Sequence, residues 1–522
     1  MKKNFIIFFL SIFLLFKTAQ AHANETPPYC GDKINQDILR NLDNLKIKKI
    51  DVKLNNYKRW TENSIRILIG NFRWIPEKYK RRFGAKIIVK FDNDLQCSFD
   101  ARVRHNGDQK DHISLKGNSI IQSVDVHLKN GHIYGITKFK LLRPNTRGNM
   151  EDEIFLTELL RELDYIAPRT IYVSASINGV DSKMIFQEKA AKELLEYNKR
   201  REGPIFEGDE RFIFRLSKDL PSNNLSNLAV GMMPLLEKGV NAGLAKQTNS
   251  KLINKSDIHS EMSFNSLSNL NLTYLLYSNM YKNKKNNFYY SNYNLNNNLL
   301  AFGNSENVLK LDIYNLIIFA ANAWHGLVPN NRKFYWNSIE NYFEPINYDS
   351  NPDIELEQNV FHLPASSQIS LAFDQLEKSF QNINSKKLSQ NLNFRGLDLN
   401  EKQVNNKIKT ISRNLQNIKL QYLNTDPDTL SYNHNAQIKK EMWDKYYSSL
   451  YEINPDIYLV KQPSNENKFQ RCEIKSAKCI NYSLYQEQVS DLLEGELIKD
   501  NIEYQYLGKT ADSLNLIDYS NY

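Results

Sequence analysis

Short runs in which apolar and polar residues alternate occupy the chain from about Ser64 to Leu142. Alternation puts every second side chain on one face of a strand, and repeated short runs of this kind are typical of a mostly antiparallel sheet. We therefore predict a sheet in this region. Its expected strands are Ile65–Ile69, Lys86–Phe91, Asp100–Arg104, Ser123–Leu128 and Lys138–Leu142.

A helix and a hairpin are predicted next. The segment Asn149–Leu163 has an acidic first turn, which complements the helix dipole, and its spacing predicts an amphipathic helix. A strand then reaches Asn178-Gly179, a strong signal for a tight hairpin turn. The return strand Lys183–Glu188 enters a charged helix, Lys189–Tyr197.

A second group of elements follows. An apolar run predicts a helix over Ile313–Ala323, and a polar turn separates Arg332–Trp336 from Tyr342–Tyr348, which predicts a hairpin. Between Ser366 and Leu423, apolar residues three and four positions apart predict two long helices. These helices either pack on the core or project toward a partner.

The N-terminus has the pattern of a secretory signal peptide. Lys2 and Lys3 precede the apolar stretch Phe5–Phe16, and small residues up to Ala23 offer cleavage sites. We expect removal of residues 1–23 and a secreted or periplasmic mature protein. A retained anchor is the alternative, but no later stretch is long and uncharged enough for a stable transmembrane segment.

The charge and the cysteines narrow the class of protein. The formal net charge of +9 falls to about +6 without the leader, which suits an anionic ligand or an envelope surface. We expect no nucleic-acid partner, because no basic stripe with interleaved aromatic residues exists. The four cysteines are compatible with two disulfides, Cys30–Cys97 and Cys472–Cys479, or with four free thiols.

Candidate chemistry lies between Ala321 and Asp353. His325 stands five residues before Asn330, and Asp349 follows after the predicted hairpin. Phosphoryl-transfer enzymes of the protein-kinase kind need the same order of parts: a residue that orients the acceptor hydroxyl, an amide that binds Mg²⁺ and, after a hairpin, a metal-binding aspartate. A surface loop followed by a turn aspartate is the alternative.

The first sheet offers candidates for nucleotide binding. Strand alternation places Lys138 and Lys140 on one face, and Glu153 lies in the helix that follows, as in the lysine–glutamate pair that positions a phosphate-binding lysine in kinases. The turn from Arg104 to Gly107 offers a tight backbone that can lie over phosphates. Solvated surface charge and an ordinary turn are the alternatives.

Four ordered blocks between about Asp100 and Asp353 resemble the spore coat CotH kinase-like family. They are Leu159–Thr170 with its Ala-Pro turn, the hairpin around Asn178-Gly179, Gln187-Glu188 before a helix, and the pair of strands that contains Asn330-Asn331-Arg-Lys-Phe-Tyr and Pro345-Ile-Asn-Tyr-Asp349. The resemblance covers about half of the chain.

The resemblance implies an α+β protein with an atypical protein-kinase-like two-lobe fold, in which an antiparallel β-rich N-lobe lies on a helical C-lobe. It implies binding of ATP with Mg²⁺ or Mn²⁺ and phosphorylation of a hydroxyl on an envelope or secreted protein. By the same resemblance Asp349 binds metal, and Asn330 or Asn331 is its amide partner. Glu188 is then a cofactor-binding residue at the lobe junction.

The chain departs from the family pattern at two places. His325 stands where many relatives carry an acidic residue, although neutral imidazole also accepts a hydroxyl proton. The strand at Ser123 lacks the paired lysines of the family, so the nucleotide lysine is Lys138 or Lys140, or is absent. A non-catalytic pseudokinase or structural envelope protein is therefore the second hypothesis.

The predicted organisation has five parts. A tyrosine-rich C-terminal appendage forms the last of them, and its tyrosines either are exposed and offer a glycan contact or are buried. The parts are the leader 1–23, a helix-compatible lead-in 24–63, the β-rich lobe 64–190, the mainly helical lobe 191–424 and the appendage 425–522.

Overall fold

The structure is a computed structural model of the 522-residue chain. It describes residues 45–72, 74–93, 95–209, 244–283, 295–329, 331–356, 368–424, 457–463, 467–473, 478–500 and 502–509. The predicted leader, Cys30 and Asn330 lie outside these ranges.

A closed barrel of seven strands forms the first half of the described chain, in the order β1-β2-β3-β6-β7-β9-β8. All neighbours are antiparallel except β1 and β8, which are parallel and close the barrel. A short hairpin, β4 with β5, extends from it. The strands are β1 Ile47–Leu54, β2 Phe83–Phe91, β3 Gln96–His105, β4 Ile113–Lys116, β5 Ser119–Gln122, β6 Val124–Leu128, β7 Lys138–Leu142, β8 Thr170–Ile177 and β9 Val180–Glu188.

The predicted two-lobe kinase-like fold is wrong, because the β-rich part is a closed barrel and not an N-lobe sheet. The reason lies in β1, within the segment that we predicted as a helix-compatible lead-in. Ile50, Val52 and Leu54 alternate along it and pack inside the barrel, while its backbone pairs with both β2 and β8. A strand that is paired on both sides leaves no free edge.

One predicted strand is also wrong. Ile65–Ile69 forms the end of a helix, α1 Tyr57–Ile69. Its buried residues are three and four positions apart, and this helical spacing overrides the local alternation; they are Trp60, Asn63, Ser64 and Ile67. The other four predicted strands and the Asn178-Gly179 hairpin are confirmed.

Helices from distant parts of the chain share a second core beside the barrel. This cluster joins α2 and α6 to α7, α8 and α9, so the predicted packing of the 366–423 region is confirmed, with three helices where two were expected. The helices are α1 Tyr57–Ile69, α2 Met150–Glu162, α3 Lys192–Tyr197, α4 Asp257–Asn283, α5 Asn297–Leu300, α6 Ser305–Ala320, α7 Ile369–Gln381, α8 Ser385–Phe394, α9 Glu401–Asn424 and α10 Gln486–Leu493.

A third core contains two small sheets. The first has the order β11-β10-β12-β13 and includes the predicted hairpin, which is confirmed. The second has the order β16-β15-β14-β19, and its apolar residues join those of the first sheet and of α4 in one cluster. The strands are β10 Ile205–Gly208, β11 Ala245–Gln247, β12 Lys333–Asn337, β13 Tyr342–Ile346, β14 Ile457–Lys461, β15 Lys468–Glu473, β16 Lys478–Ser483, β17 Ile498–Lys499, β18 Ile502–Glu503 and β19 Gln505–Lys509.

Disulfide bonds fit the predicted export. Cys472 and Cys479 lie opposite each other on β15 and β16 and are joined by a disulfide, as predicted. Cys97 is also disulfide-bonded. Structural disulfides are typical of oxidising compartments, so this cysteine usage is consistent with an exported protein. Among the helices of the described ranges, none combines the length and apolar character that crossing a membrane requires.

Candidate functional site

Three segments meet at the turn that follows β13. An added Cβ on Gly326, in the 3-10 turn Trp324–Leu327, would lie 2.9 Å from Cβ of Ser350. An added Cβ on Gly148, just before α2, would lie 3.5 Å from the carbonyl oxygen of Asn351. Both glycines therefore bring their backbones against this turn, which we call the 347–353 turn.

Helix α2 is held against the same region. The Asn149 side chain caps its N-terminus by accepting a hydrogen bond from the backbone N–H of Glu151 at 3.1 Å. One residue further, the Asp152 carboxylate accepts from the Ile354 N–H at 2.9 Å. On the other side, the Asn414 amide of α9 donates to the Ile354 carbonyl at 3.2 Å. Helices α2 and α9 thus hold the chain from both sides where it leaves the 347–353 turn.

Asp349 lies at the centre of the site. Its φ of +52° is in the left-handed region, which aspartate tolerates better than most residues, and its side chain is 26% exposed. Nη1 of the buried Arg147 lies 2.5 Å from its carboxylate Oδ1. Burial raises the pKa of Asp349, but the charge of Arg147 beside it, together with that of Lys140, outweighs burial and keeps the pKa below its ordinary value.

His325 and Asn331 both contact the backbone of Asp349. The imidazole Nδ1 of His325 lies 2.7 Å from the carbonyl oxygen of Asp349, and the Asn331 amide donates to the same oxygen at 3.2 Å. The Asn331 amide nitrogen also lies 3.1 Å from Nδ1, and an amide N–H only donates, so the two contacts require opposite roles of Nδ1. A carbonyl oxygen only accepts, so the shorter contact, to Asp349, favours a proton on Nδ1. In this tautomer of the neutral imidazole, Nε2 carries the lone pair.

Glu153 is buried on α2 near the guanidinium of Arg147. Its Oε1 accepts a hydrogen bond from Nε2 of Gln187 at 3.0 Å. Burial raises the pKa of Glu153, and the charge of Arg147 opposes this rise. No ion pair joins Glu153 to Lys140 in the part of the chain that the structure describes, so Arg147 stands beside this glutamate where we expected a lysine.

Three lysines from separate elements lie near one another, and two of them, Lys140 and Lys333, act on Asp349. Nζ of Lys140, on β7, lies 4.9 Å from the Tyr348 ring centroid, and Nζ of Lys333, on β12, lies 4.5 Å from the same ring. Lys189 follows β9. Burial lowers the pKa of Lys189 to about 8. Burial and the charges of Lys140 and Lys189 together lower the pKa of Lys333 to about 7.

The lysines are only partly neutralised. Lys333 pairs with Glu207, and Lys189 lies 2.7 Å from the carboxylate of Asp125. Lys140 makes no ion pair with any residue in the described ranges, and burial lowers its pKa. Like charges that are held close together without enough counter-charge favour the binding of an anion.

Asp125 organises the basic residues next to Lys140. Its side chain is only 1% exposed, and Arg82 at 3.3 Å, Arg104 at 3.5 Å and Lys189 surround it. Burial raises the pKa of Asp125, but the charges of Lys189 and Arg104 lower it by more. The pKa of Asp125 therefore lies well below its ordinary value. One carboxylate therefore holds three cations, which leaves this face of the barrel positive.

The remaining predicted residues lie elsewhere or have structural roles. Lys138 is exposed at the start of β7, although it shares a strand face with Lys140 as predicted. Glu188 is buried and pairs with Arg169, whose Nε donates to it at 2.9 Å. The turn at Gly107 packs on the imidazole of His112. Glu188 and Gly107 therefore have structural roles around the site.

Replacing Gly107 with alanine is expected to destabilise the protein. Gly107 has a φ of +99°, and an added Cβ would lie 2.0 Å from the imidazole of His112. We expect a loss of about 1–3 kcal/mol in the free energy of unfolding, measured by urea titration. Gly117→Ala is the matched control, because its φ is also positive, at +58°, but no atom lies within 4 Å. Equal losses in the two variants would contradict this explanation.

Buried histidines are expected to make stability fall in mild acid. Burial lowers the pKa of His105 to about 4 and that of His112 and His127 to about 3. Below about pH 6.5 the unfolded chain takes up protons that the folded chain does not, so stability is complete above this pH and falls toward pH 4. The buried His105 alone should contribute about 1 kcal/mol per pH unit near pH 5.5. Urea titrations of a His105→Gln variant should show a correspondingly smaller slope, and an unchanged slope would contradict this prediction.

The donor atoms of the site fit a hard cation. Magnesium and manganese prefer oxygen ligands and usually need only one or two carboxylates when phosphates supply the rest. Several buried side-chain oxygens of the 347–353 turn and α2 have no hydrogen-bond partner. They are Oδ1 of Asn347 and Asn351, Oγ of Ser350 and Oε2 of Glu153, whereas Oδ1 of Asp349 is engaged by Arg147. Within the described ranges, no group of three histidine, cysteine, aspartate or glutamate residues forms a complete metal site by itself.

Sequence reasoning singled out Lys140 but missed the other three cations of the site. Arg147 precedes the predicted helix at Asn149, Lys189 begins the predicted charged helix, and Lys333 lies in the predicted hairpin. A signal existed for Asp125, because it is a charged residue between two valines in a strand. Such a residue is either exposed or paired with opposite charge. Only the closed barrel shows that Asp125 is paired.

The closed barrel, the helical cluster and the charged turn between them define an α+β protein with a polar site where the two cores meet. Comparison with known proteins adds no family to this description. A scan against protein-family models and a search of curated proteins both returned no match to the chain.

Proposed function

We propose that the site around Asp349 binds the phosphate chain of ATP together with Mg²⁺ or Mn²⁺, and transfers the terminal phosphoryl group to a hydroxyl of an envelope or secreted protein. One observation carries this proposal. Four cations from separate segments gather at the site with incomplete counter-charge. Arg147, Lys140 and Lys333 act on Asp349, and Lys189 lies near the two other lysines. The order of parts in the sequence agrees with it.

The cations have a direct role in this chemistry. Phosphoryl transfer depends mainly on positioning and on neutralising the phosphate oxygens. Lys140 is the residue with an uncommitted charge, so we assign it to the phosphate chain. Asp125 keeps Lys189 in place at 2.7 Å, and the Tyr348 ring underlies Lys140 and Lys333. These contacts limit reorganisation when an anion binds.

The oxygen-rich turn and the imidazole complete the assignment. Asp349, with Asn347 and Asn351, would hold the divalent ion, which when bound supplies further neutralisation of the phosphoryl oxygens. Arg147 occupies one carboxylate oxygen of Asp349, so metal binding must exchange this partner or use the other oxygen. Nε2 of His325 is the base that accepts the hydroxyl proton, because the Asp349 carbonyl engages Nδ1.

Nucleotide binding tests this proposal first. Addition of ATP with Mn²⁺ to the mature protein should raise Tm, and calorimetry should show binding that depends on both components. Lys140→Met should weaken ATP binding by at least about tenfold, because it removes a charge-assisted contact to phosphate. Lys138→Met, an exposed position two residues away on the same strand, should leave affinity unchanged. Equal affinities in the two variants would contradict the assignment of Lys140.

Binding without transfer is the second candidate. The contact between Arg147 and Asp349 favours it, because a guanidinium already neutralises the carboxylate on which the metal would bind. Incubation of the purified mature protein with γ-labelled ATP, with and without EDTA, separates the two candidates. Label that depends on the metal supports transfer. ATP binding without incorporation of label or ATP hydrolysis supports a non-catalytic binding protein of the cell envelope.

A further inference from the structure

Arg332 is a buried arginine on the face of β12 opposite the candidate site. It directly precedes β12, and alternation along the chain turns Arg332 and Phe334 toward the core while Lys333 faces Tyr348. The Arg332 side chain is among the largest fully buried side chains described, with 1% exposure. The chemistry proposed above does not use it.

Neutral groups surround the guanidinium. Its Nη2 donates to the side-chain oxygen of Asn315 at 3.2 Å, and its Cζ lies 4.9 Å from the Phe334 ring centroid. Tyr274 and Tyr314 are the titratable groups close enough to act on its charge. The Tyr274 hydroxyl donates to the Pro329 carbonyl at 2.6 Å.

No opposite charge in the described ranges balances Arg332. The other three buried arginines of these ranges, Arg147, Arg169 and Arg395, each contact a carboxylate, whereas no described carboxylate pairs with Arg332. Nε and Nη1 are buried and have no acceptor. Burial lowers the pKa of Arg332 to about 10, which still leaves the guanidinium charged at neutral pH. An uncompensated buried charge is strongly destabilising, and so are buried donors without partners.

We propose that Arg332 binds a small monovalent anion of the chloride class inside the core. A halide supplies the missing negative charge and accepts a hydrogen bond from Nε–H or from Nη1–H, which point to different sides of the guanidinium. A small anion suits these atoms, because they lie away from solvent among the aromatic rings of Phe334, Tyr274 and Tyr314. The site is distinct from the proposed nucleotide site, although its arginine lies between two residues of that site, Asn331 and Lys333.

Halide-dependent stability tests the proposal. Chloride is exchanged for gluconate at constant ionic strength, and Tm of the mature protein is measured. Raising chloride about 100-fold should raise Tm by about 3 °C or more if the folded state alone binds it. Arg332→Met should remove this dependence and should be at least as stable as the parent protein in gluconate. Arg413→Met, at an exposed arginine of α9, is the matched control and should keep the full dependence.

Two outcomes overturn the proposal. One is a Tm of the parent protein that does not respond to chloride, and the other is an Arg332→Met variant that responds like the control. If the Arg332→Met variant does not fold, the anion can be located directly in the parent protein. Crystals of the parent protein soaked in bromide should show an anomalous peak beside Nε or Nη1 of Arg332, and water alone at both positions would equally overturn the proposal.

Discussion

Replacing Asp349 with asparagine is expected to lower phosphoryl transfer by at least about 100-fold. Asp349 is the carboxylate around which Arg147, His325 and Lys140 gather, and its loss removes the anionic ligand for the metal. Asparagine is chosen because it also tolerates the left-handed backbone at this position. Arg147 keeps a nearby carboxylate, Glu153, so the fold should survive.

The measurement is incorporation of label from γ-labelled ATP, with Tm as the check on folding. Asp353→Asn is the matched control, because Asp353 ends the same turn but its side chain is exposed. This control should keep its activity. Retained turnover in Asp349→Asn, or equal losses in both variants, would refute the proposed role of Asp349. A protein that binds ATP but never transfers phosphate would make both variants silent, and the binding assay would then decide.

Replacing Glu188 with alanine should have the largest effect on stability. Arg169 donates to both carboxylate oxygens of Glu188 and also to the Tyr134 carbonyl, and both side chains are almost fully buried. Removal of one partner leaves a buried charge uncompensated, so we expect a loss of about 3–5 kcal/mol in the free energy of unfolding. Urea titration measures this loss.

A double variant separates a structural role from a nucleotide-binding role. Arg169→Met combined with Glu188→Met removes both charges, so it should be more stable than Glu188→Ala. If it folds, its affinity for ATP should match that of the parent protein, because Glu188 lies in an ion pair of its own. A large loss of ATP affinity in the folded double variant would indicate instead that Glu188 takes part in nucleotide binding, as the family resemblance implies.

Local signals were sufficient for several elements. Four strands, the Asn178-Gly179 hairpin and the hairpin before Asp349 follow the period of two and the turn residues that the sequence shows. Helix α2 begins where its capping asparagine and acidic first turn indicate. These features depend on residues within a few positions of one another, which explains why they were predictable.

The architecture depended on a pairing that no local signal contains. Strand β1 joins β8 across more than 120 residues, in parallel register from Lys49 with Ser174 to Val52 with Ile177. The sequence of β1 is compatible with several partners or with none. Without this pairing the sheet would be open, as in the N-lobe sheet that we predicted from the family resemblance.

The sequence by itself determined which short segments become strands and helices, the positions of the tight turns, and a spacing that brings His325 and Asp349 near each other through one hairpin. Tertiary structure alone decided that the sheet closes, that Arg147 stands beside Asp349, and that Lys140, Lys189 and Lys333 share one environment. The reason is physical. Backbone conformation responds to neighbouring residues, whereas the burial and balance of a charge depend on every segment that packs around it.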